Sequence, residues 1–105
     1  ELMNYKCKSY MNPVDGIKAF ITGSFDVVIS EYMMSTMNGL EVLEAVKEIS
    51  PEANVIIYTA YIHEEIYKNA MEKGAEGFYI KPVDLDNLLE NLDNIKKMKK
   101  YMRIG

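Results

Sequence analysis

The sequence has few of the residues and runs that mark disulfide-bonded, metal-rich or membrane proteins. Cys7 is the only cysteine and His63 the only histidine among 105 residues, which excludes an internal disulfide and a metal centre built from cysteine clusters. His63 stands beside Glu64 and Glu65, and a solvated surface position explains it better than a metal ligand does. No apolar run approaches the roughly 18 residues of a membrane span, and no signal peptide is visible. We therefore expect a protein of a reducing compartment, the cytoplasm, with no membrane partner.

Positive charge is concentrated near the end of the chain. The formal net charge is -4, and the stretch 96–103 holds five of the twelve lysines and arginines and no acid. An acidic body with one short basic end is not typical of a nucleic-acid surface, so we expect no direct binding of nucleic acid by this domain. Cations are favourable in the last turns of a helix. Residues 96–105 are therefore predicted to end the last helix or to begin a linker.

Strand patterns and helix patterns alternate along the chain. At 105 residues and 49% hydrophobic, the chain fits a single domain over 1–105. Runs of β-branched and aromatic residues predict buried strands at 25–30, 54–60 and 77–80, and a looser alternation predicts an edge strand at 6–10. Apolar spacings of three and four predict helices after Asn12-Pro13, from Leu40, over 62–73 and from Asp84, and residues 2–5 resemble a last helical turn. The alternation predicts an α/β domain with a doubly wound parallel sheet.

Three of the predicted strands end in polar side chains: Glu31, Thr59 and Lys81. The carboxyl ends of parallel strands meet at one edge, where α/β proteins bind ligands. Taken singly, such residues are more often structural, because strand ends leave the core. Taken together, and with the small Ala60 after Thr59 and the Lys81-Pro82 pair, they predict one site.

These residues make the chain resemble the response-regulator receiver domains of two-component signalling. The matching segments are 26–29, Met33-Met34, 37–43, Tyr58-Thr59-Ala60, Gly74-Ala75 and Lys81-Pro82. The resemblance implies a flavodoxin/CheY-like receiver fold of five strands, in which an aspartate accepts a phosphoryl group from a histidine kinase with help from Mg²⁺. It also implies protein partners, namely a kinase and an output domain or protein, and leaves a homodimer open. A stand-alone enzyme is not expected.

Two residues depart from the family pattern at the acceptor. Glu31 stands at the phosphoacceptor position, and Ser35 replaces the usual proline of the following turn. The extra methylene of glutamate moves the carboxylate by about 1 Å, and a misplacement of that size can lower a rate on the order of 100-fold.

The family's first strand and most of its first helix are absent from the chain, and with them the acidic pair that holds Mg²⁺. The gap can be filled by an upstream segment, which we favour, by a strand from a partner chain or by a rearranged sheet. An upstream segment could carry the acidic pair, so Mg²⁺ stays open as a cofactor. Its ligands on this chain would be Glu31 and the backbone carbonyl of Met33.

Glu31 admits three interpretations. It is a permanent substitute for aspartyl phosphate that pairs with Lys81, or a tolerated replacement in a docking module, or part of a working phosphorelay that phosphorylates Glu31 or a nearby hydroxyl. The first two are favoured equally over the third, because positioning dominates phosphoryl transfer. A flavodoxin-like cofactor-binding protein is a further alternative, although no Gly-rich phosphate loop follows a strand.

Phe78 is the candidate for the output side of a switch. It lies three residues before Lys81, at the position of the aromatic that the family rotates inward or outward as Thr59 moves. An ordinary core aromatic explains Phe78 equally well. Exposed aromatic and apolar residues at Tyr61, Ile62 and Tyr79 would suit the family's partner face.

Overall fold

The computed structural model describes residues 6–60, 63–82, 84, 87–88 and 100–105. The strands in these ranges are β1 (Lys6–Tyr10), β2 (Val27–Glu31), β3 (Asn54–Thr59), β4 (Gly77–Ile80) and β5 (Lys100–Ile104). The helices are α1 (Pro13–Thr22), α2 (Gly39–Ile49) and α3 (Glu64–Glu72). The first four strands and the three helices were all predicted from the sequence, with small differences at their ends. The predicted turn at 2–5 and most of the predicted final helix lie outside the described residues.

Local side chains fix where the helices begin. The side chain of Asn12 accepts a hydrogen bond from the Val14 N–H at 2.9 Å, and Pro13 occupies the first turn of α1, where its missing N–H has no consequence. Asp84 accepts a hydrogen bond from the Asn87 N–H at 3.1 Å, which confirms the predicted helix cap at Asp84.

The sheet is entirely parallel, with the strand order β1-β5-β2-β3-β4. Strand β5 pairs with β1 on one side, where Cys7 is opposite Tyr101, and with β2 on the other, where Val28 is opposite Met102. In flavodoxin-like sheets of order 2-1-3-4-5, this position belongs to the first strand of the chain. Here the last described strand occupies it.

The prediction that residues 96–105 end a helix or begin a linker is wrong for Lys100–Ile104. Tyr101, Met102 and Ile104 are 2%, 0% and 0% exposed, so this segment is core rather than solvated surface. Its lysines drew attention away from its apolar residues, and the gap that attracts it is created by β1 and β2 elsewhere in the chain. Unpaired backbone groups and apolar faces on both sides of that gap favour a strand there. The gap is thus filled by rearrangement within the chain, not by the upstream segment that we favoured.

The helices α1, α2 and α3 pack against one face of the sheet. That core contains Phe20, Leu43 and Ala70 from the helices and Val28, Ile57 and Met102 from the strands. On the opposite face, the helical Leu88 packs with a second cluster: Val27, Ile29, Ile56, Tyr58 and Tyr101. In the part of the chain that the structure describes, no helix is long and apolar enough to cross a membrane.

Candidate functional site

Glu31 and Lys81 meet at the carboxyl end of the sheet. Glu31 is the last residue of β2 and Lys81 follows β4, so β3 lies between their strands. The Lys81 ammonium forms an ion pair with the Glu31 carboxylate, and the two side chains are 40% and 13% exposed. An ion pair shielded from water in this way is less screened than one on an open surface. We refer to Glu31, Thr59 and Lys81 as the Glu31 edge.

Thr59 holds the backbone of Lys81 in place. Thr59 ends β3 and is 4% exposed, and its carbonyl oxygen accepts a hydrogen bond from the Lys81 N–H at 2.8 Å. The next residue, Ala60, is exposed. The peptide bond between Lys81 and Pro82 is cis. The structure thus brings together the three strand-end residues that the sequence singled out.

Tyr58 is a residue of this region that sequence reasoning missed. Its hydroxyl accepts a hydrogen bond from Nε of Arg103 at 3.1 Å and donates one to the Gly105 carbonyl oxygen at 3.5 Å. Lys81 Nζ lies 4.8 Å from the centre of the Tyr58 ring, within the range of a cation–π contact. A tyrosine at the end of a buried strand needs a partner for its hydroxyl, and that was the available signal.

Arg103 was missed as well, because it lies in the stretch interpreted as a solvated basic end. Its guanidinium carbon lies 5.9 Å from the centre of the Tyr58 ring. The hydrogen bond to Tyr58 is the main reason that the pKa of Arg103 is raised above its already high usual value, and burial opposes that rise. The guanidinium is therefore a permanent positive charge beside Tyr58.

Gly39 keeps the loop after β2 close to the Glu31 edge. We expected this glycine to supply unusual backbone angles, but its role is close approach. A Cβ at Gly39 would lie 2.8 Å from the Glu31 carbonyl oxygen, and the Gly39 N–H donates to the Tyr32 carbonyl oxygen at 2.8 Å. Helix α2 begins here with a capping box between Asn38 and Glu41, so the loop closes directly into a fixed helix start.

Phe78 lies on the α3 side of the sheet. Its ring packs edge-to-face against Tyr67, with ring centres 5.7 Å apart. Both rings border an apolar cavity of about 480 Å³, together with His63, Glu64 and Ile80. Phe78 is half-buried against the helix-side core. Its role as a switch residue stays a prediction.

The surface positions agree with the sequence where the structure describes them. His63 is exposed and precedes α3 without forming a side-chain cap, as expected for a solvated residue. Tyr79 is 38% exposed. Tyr61 and Ile62 lie outside the described residues, so the predicted partner face is only partly visible.

Few groups at this edge could receive a phosphoryl group or hold a metal ion. Ser30 is fully buried and its hydroxyl donates to the Glu31 carbonyl oxygen at 3.0 Å, whereas Ser35 and Thr36 are exposed. The Met33 side chain is 63% exposed, and a metal contact of its carbonyl stays a prediction. Within the described ranges, no three or more His, Cys, Asp or Glu side chains are grouped so that they could hold a metal ion.

Comparison with known proteins identifies the family. The family model of the response regulator receiver domain matches residues 1–93. The chain is 38% identical over 69 residues to the transcriptional regulatory protein ZraR of Escherichia coli K12, covering 66% of this chain and 16% of ZraR. It is 31% identical over 86 residues to the chemotaxis protein CheY of Treponema pallidum, covering 80% of this chain and 60% of CheY.

A solved structure supports the fold. The crystal structure of a two-component response regulator from Clostridium difficile superimposes with a TM-score of 0.74 at 18% identity, covering 84% of this chain and 72% of that one. At this identity the likeness shows the fold alone.

Proposed function

The chain belongs to the response regulator receiver domain family, and we propose that it is a pseudo-receiver in which Glu31 substitutes permanently for a phosphorylated aspartate. On this proposal it is a signalling module rather than an enzyme, and its state does not depend on a histidine kinase. Its partners would be an output domain or another protein of the pathway. The chain spans 16% of ZraR and 60% of the Treponema CheY, so the activities of those whole proteins are not transferred to it.

The observation that carries the proposal is the ion pair between Glu31 and Lys81. In a receiver, this lysine contacts the oxygens of the phosphorylated aspartate. Here the longer glutamate side chain reaches the ammonium without a phosphoryl group, and the shielded carboxylate has its positive partner in place. The environment thus supports the first of the three interpretations of Glu31.

The competing function, a working phosphoacceptor, has less support. The Glu31 carboxylate is only 13% exposed and already pairs with Lys81, so a phosphodonor would have to displace the lysine. Ser30 is fully buried, which removes the nearest hydroxyl. Membership of the receiver family also takes away the reason for proposing a flavodoxin-like cofactor protein.

Phosphorylation is the first test. The 105-residue chain is incubated with Mg²⁺ and acetyl phosphate and its intact mass is measured. We expect no added phosphoryl group. A phosphoryl group that forms on the native chain and is lost in Glu31→Gln would overturn the proposal.

The lock itself is tested by removing the ammonium. Lys81→Met deletes the charge at similar length, and we expect the amide resonances of Thr59 and Phe78 to shift. The matched control is Lys73→Met, because Lys73 pairs with Glu44 at 3.5 Å on the surface. If Lys81→Met moves Thr59 and Phe78 no more than Lys73→Met does, the ion pair does not set the state of the domain.

A further inference from the structure

Strand β5 closes the sheet at a position that the receiver family gives to another part of the chain. The family match ends at residue 93, before β5 begins. At the start of β5, the Asp26 carboxylate accepts a hydrogen bond from the Lys100 N–H at 2.9 Å. At its end, the Gly105 N–H donates to the Tyr10 carbonyl oxygen at 2.8 Å. With β5 bound at both ends, no second strand can lie between β1 and β2.

The end of β5 brings no carboxylate side chain to Glu31. Residues 100–105 contain no acid. Gly105 has φ +91°, and a Cβ there would lie 2.8 Å from the Cβ of Glu31 and 3.2 Å from the sulfur of Met34. Only glycine fits this backbone conformation and this approach. The strand end beside Glu31 therefore has no room for a metal-ligating side chain at Gly105.

What β5 does bring is positive charge. Arg103 donates to the Tyr58 hydroxyl, and Lys81 Nζ lies over the same ring while it pairs with Glu31. Two permanent or paired cations thus accompany one carboxylate. Mg²⁺ requires several oxygen ligands and strongly prefers carboxylates and water to a cationic surrounding, so these residues do not fit the divalent ion that the family resemblance implies.

We propose that the Glu31 edge works without a divalent metal, because β5 fills the place from which metal-ligating carboxylates would come and brings Arg103 instead. The positive charge at this edge then comes from Lys81 and Arg103, and Tyr58 positions the second of them. The inference rests on the proposed function for the role of the edge, but it concerns the ion and is tested separately.

Paramagnetic Mn²⁺ tests the native chain directly. Amide spectra are recorded with increasing Mn²⁺, in place of Mg²⁺, for the 105-residue chain and for Glu31→Gln. We expect the resonances of Glu31, Thr59 and Gly105 to broaden no more than those of exposed acidic residues such as Glu52, and equally in both proteins. Saturable broadening centred on these three residues and lost in Glu31→Gln would overturn the inference.

A second arm restores the aspartate. Glu31→Asp is incubated with Mg²⁺ and acetyl phosphate after its amide spectrum has shown that it is folded. Without a metal site we expect it to stay unmodified, like the native chain. Phosphorylation of Glu31→Asp that requires Mg²⁺ would overturn the metal-free edge and leave the pseudo-receiver proposal standing, whereas phosphorylation of the native chain would overturn the pseudo-receiver proposal itself.

Discussion

At the scale of single residues, Tyr58 connects the Glu31 edge to the C-terminal strand. Its ring lies under Lys81 and its hydroxyl binds Arg103, a residue 45 positions away in the sequence. A buried hydroxyl gives up its hydrogen bonds to water on folding, so the partners supplied by β5 matter to stability. One side chain thus serves both the site and the strand that completes the sheet.

Replacement of this hydroxyl measures the connection. We expect Tyr58→Phe to lower the free energy of unfolding by about 1–2 kcal/mol, because the hydrogen bond from the Arg103 guanidinium is lost while the ring stays. Urea denaturation followed by circular dichroism measures the change. The control is Tyr79→Phe, which removes a hydroxyl from a side chain that is 38% exposed. Equal effects of the two substitutions would mean that the Arg103 contact contributes nothing.

At the scale of elements, the helices and the first four strands follow from local patterns, but β5 does not. The run from Val27 to Ile29 has one apolar pattern and one outcome. The stretch around Tyr101 carries lysines on one side and apolar residues on the other, and it is equally compatible with a helix end. The vacant position between β1 and β2 selects the strand, since parallel pairing on both sides satisfies the backbone groups of all three strands.

Truncation of a buried β5 side chain tests the strand. Met102 is 0% exposed, whereas Met11 is 85% exposed. We expect Met102→Ala to lower the free energy of unfolding by about 2–5 kcal/mol through lost burial and a cavity. For Met11→Ala the change should stay within about 0.5 kcal/mol. Chemical denaturation of the two variants decides the matter, and a Met102→Ala as harmless as Met11→Ala would contradict the placement of β5 in the sheet.

At the scale of the whole molecule, the sheet is continuous only because its last strand lies in its middle. Strand β5 separates β1 from the other three strands. Its absence would detach β1 and expose apolar residues on both faces of β2. Cooperative unfolding of the domain therefore depends on residues at the end of the chain.

Deletion of residues 100–105 tests this dependence. We expect the shortened chain to lose its cooperative thermal transition or to associate, because exposed strand edges and apolar faces seek other strands. Circular dichroism on heating and light scattering report the two outcomes, with the 105-residue chain as the control. A shortened chain that stays monomeric and melts at the same temperature as the control would show that β5 is dispensable.

The sequence by itself determined the α/β class, four of the strands, the three described helices and the meeting of Glu31, Thr59 and Lys81. These follow from hydrophobic periodicity and from the fact that parallel strands end at one edge, both of which are readable over short stretches of chain. The tertiary structure decided the fate of residues 100–105 and the contacts of Tyr58 and Arg103. Those depend on a gap between strands far apart in the sequence, and pairing across such distances leaves no local pattern to read.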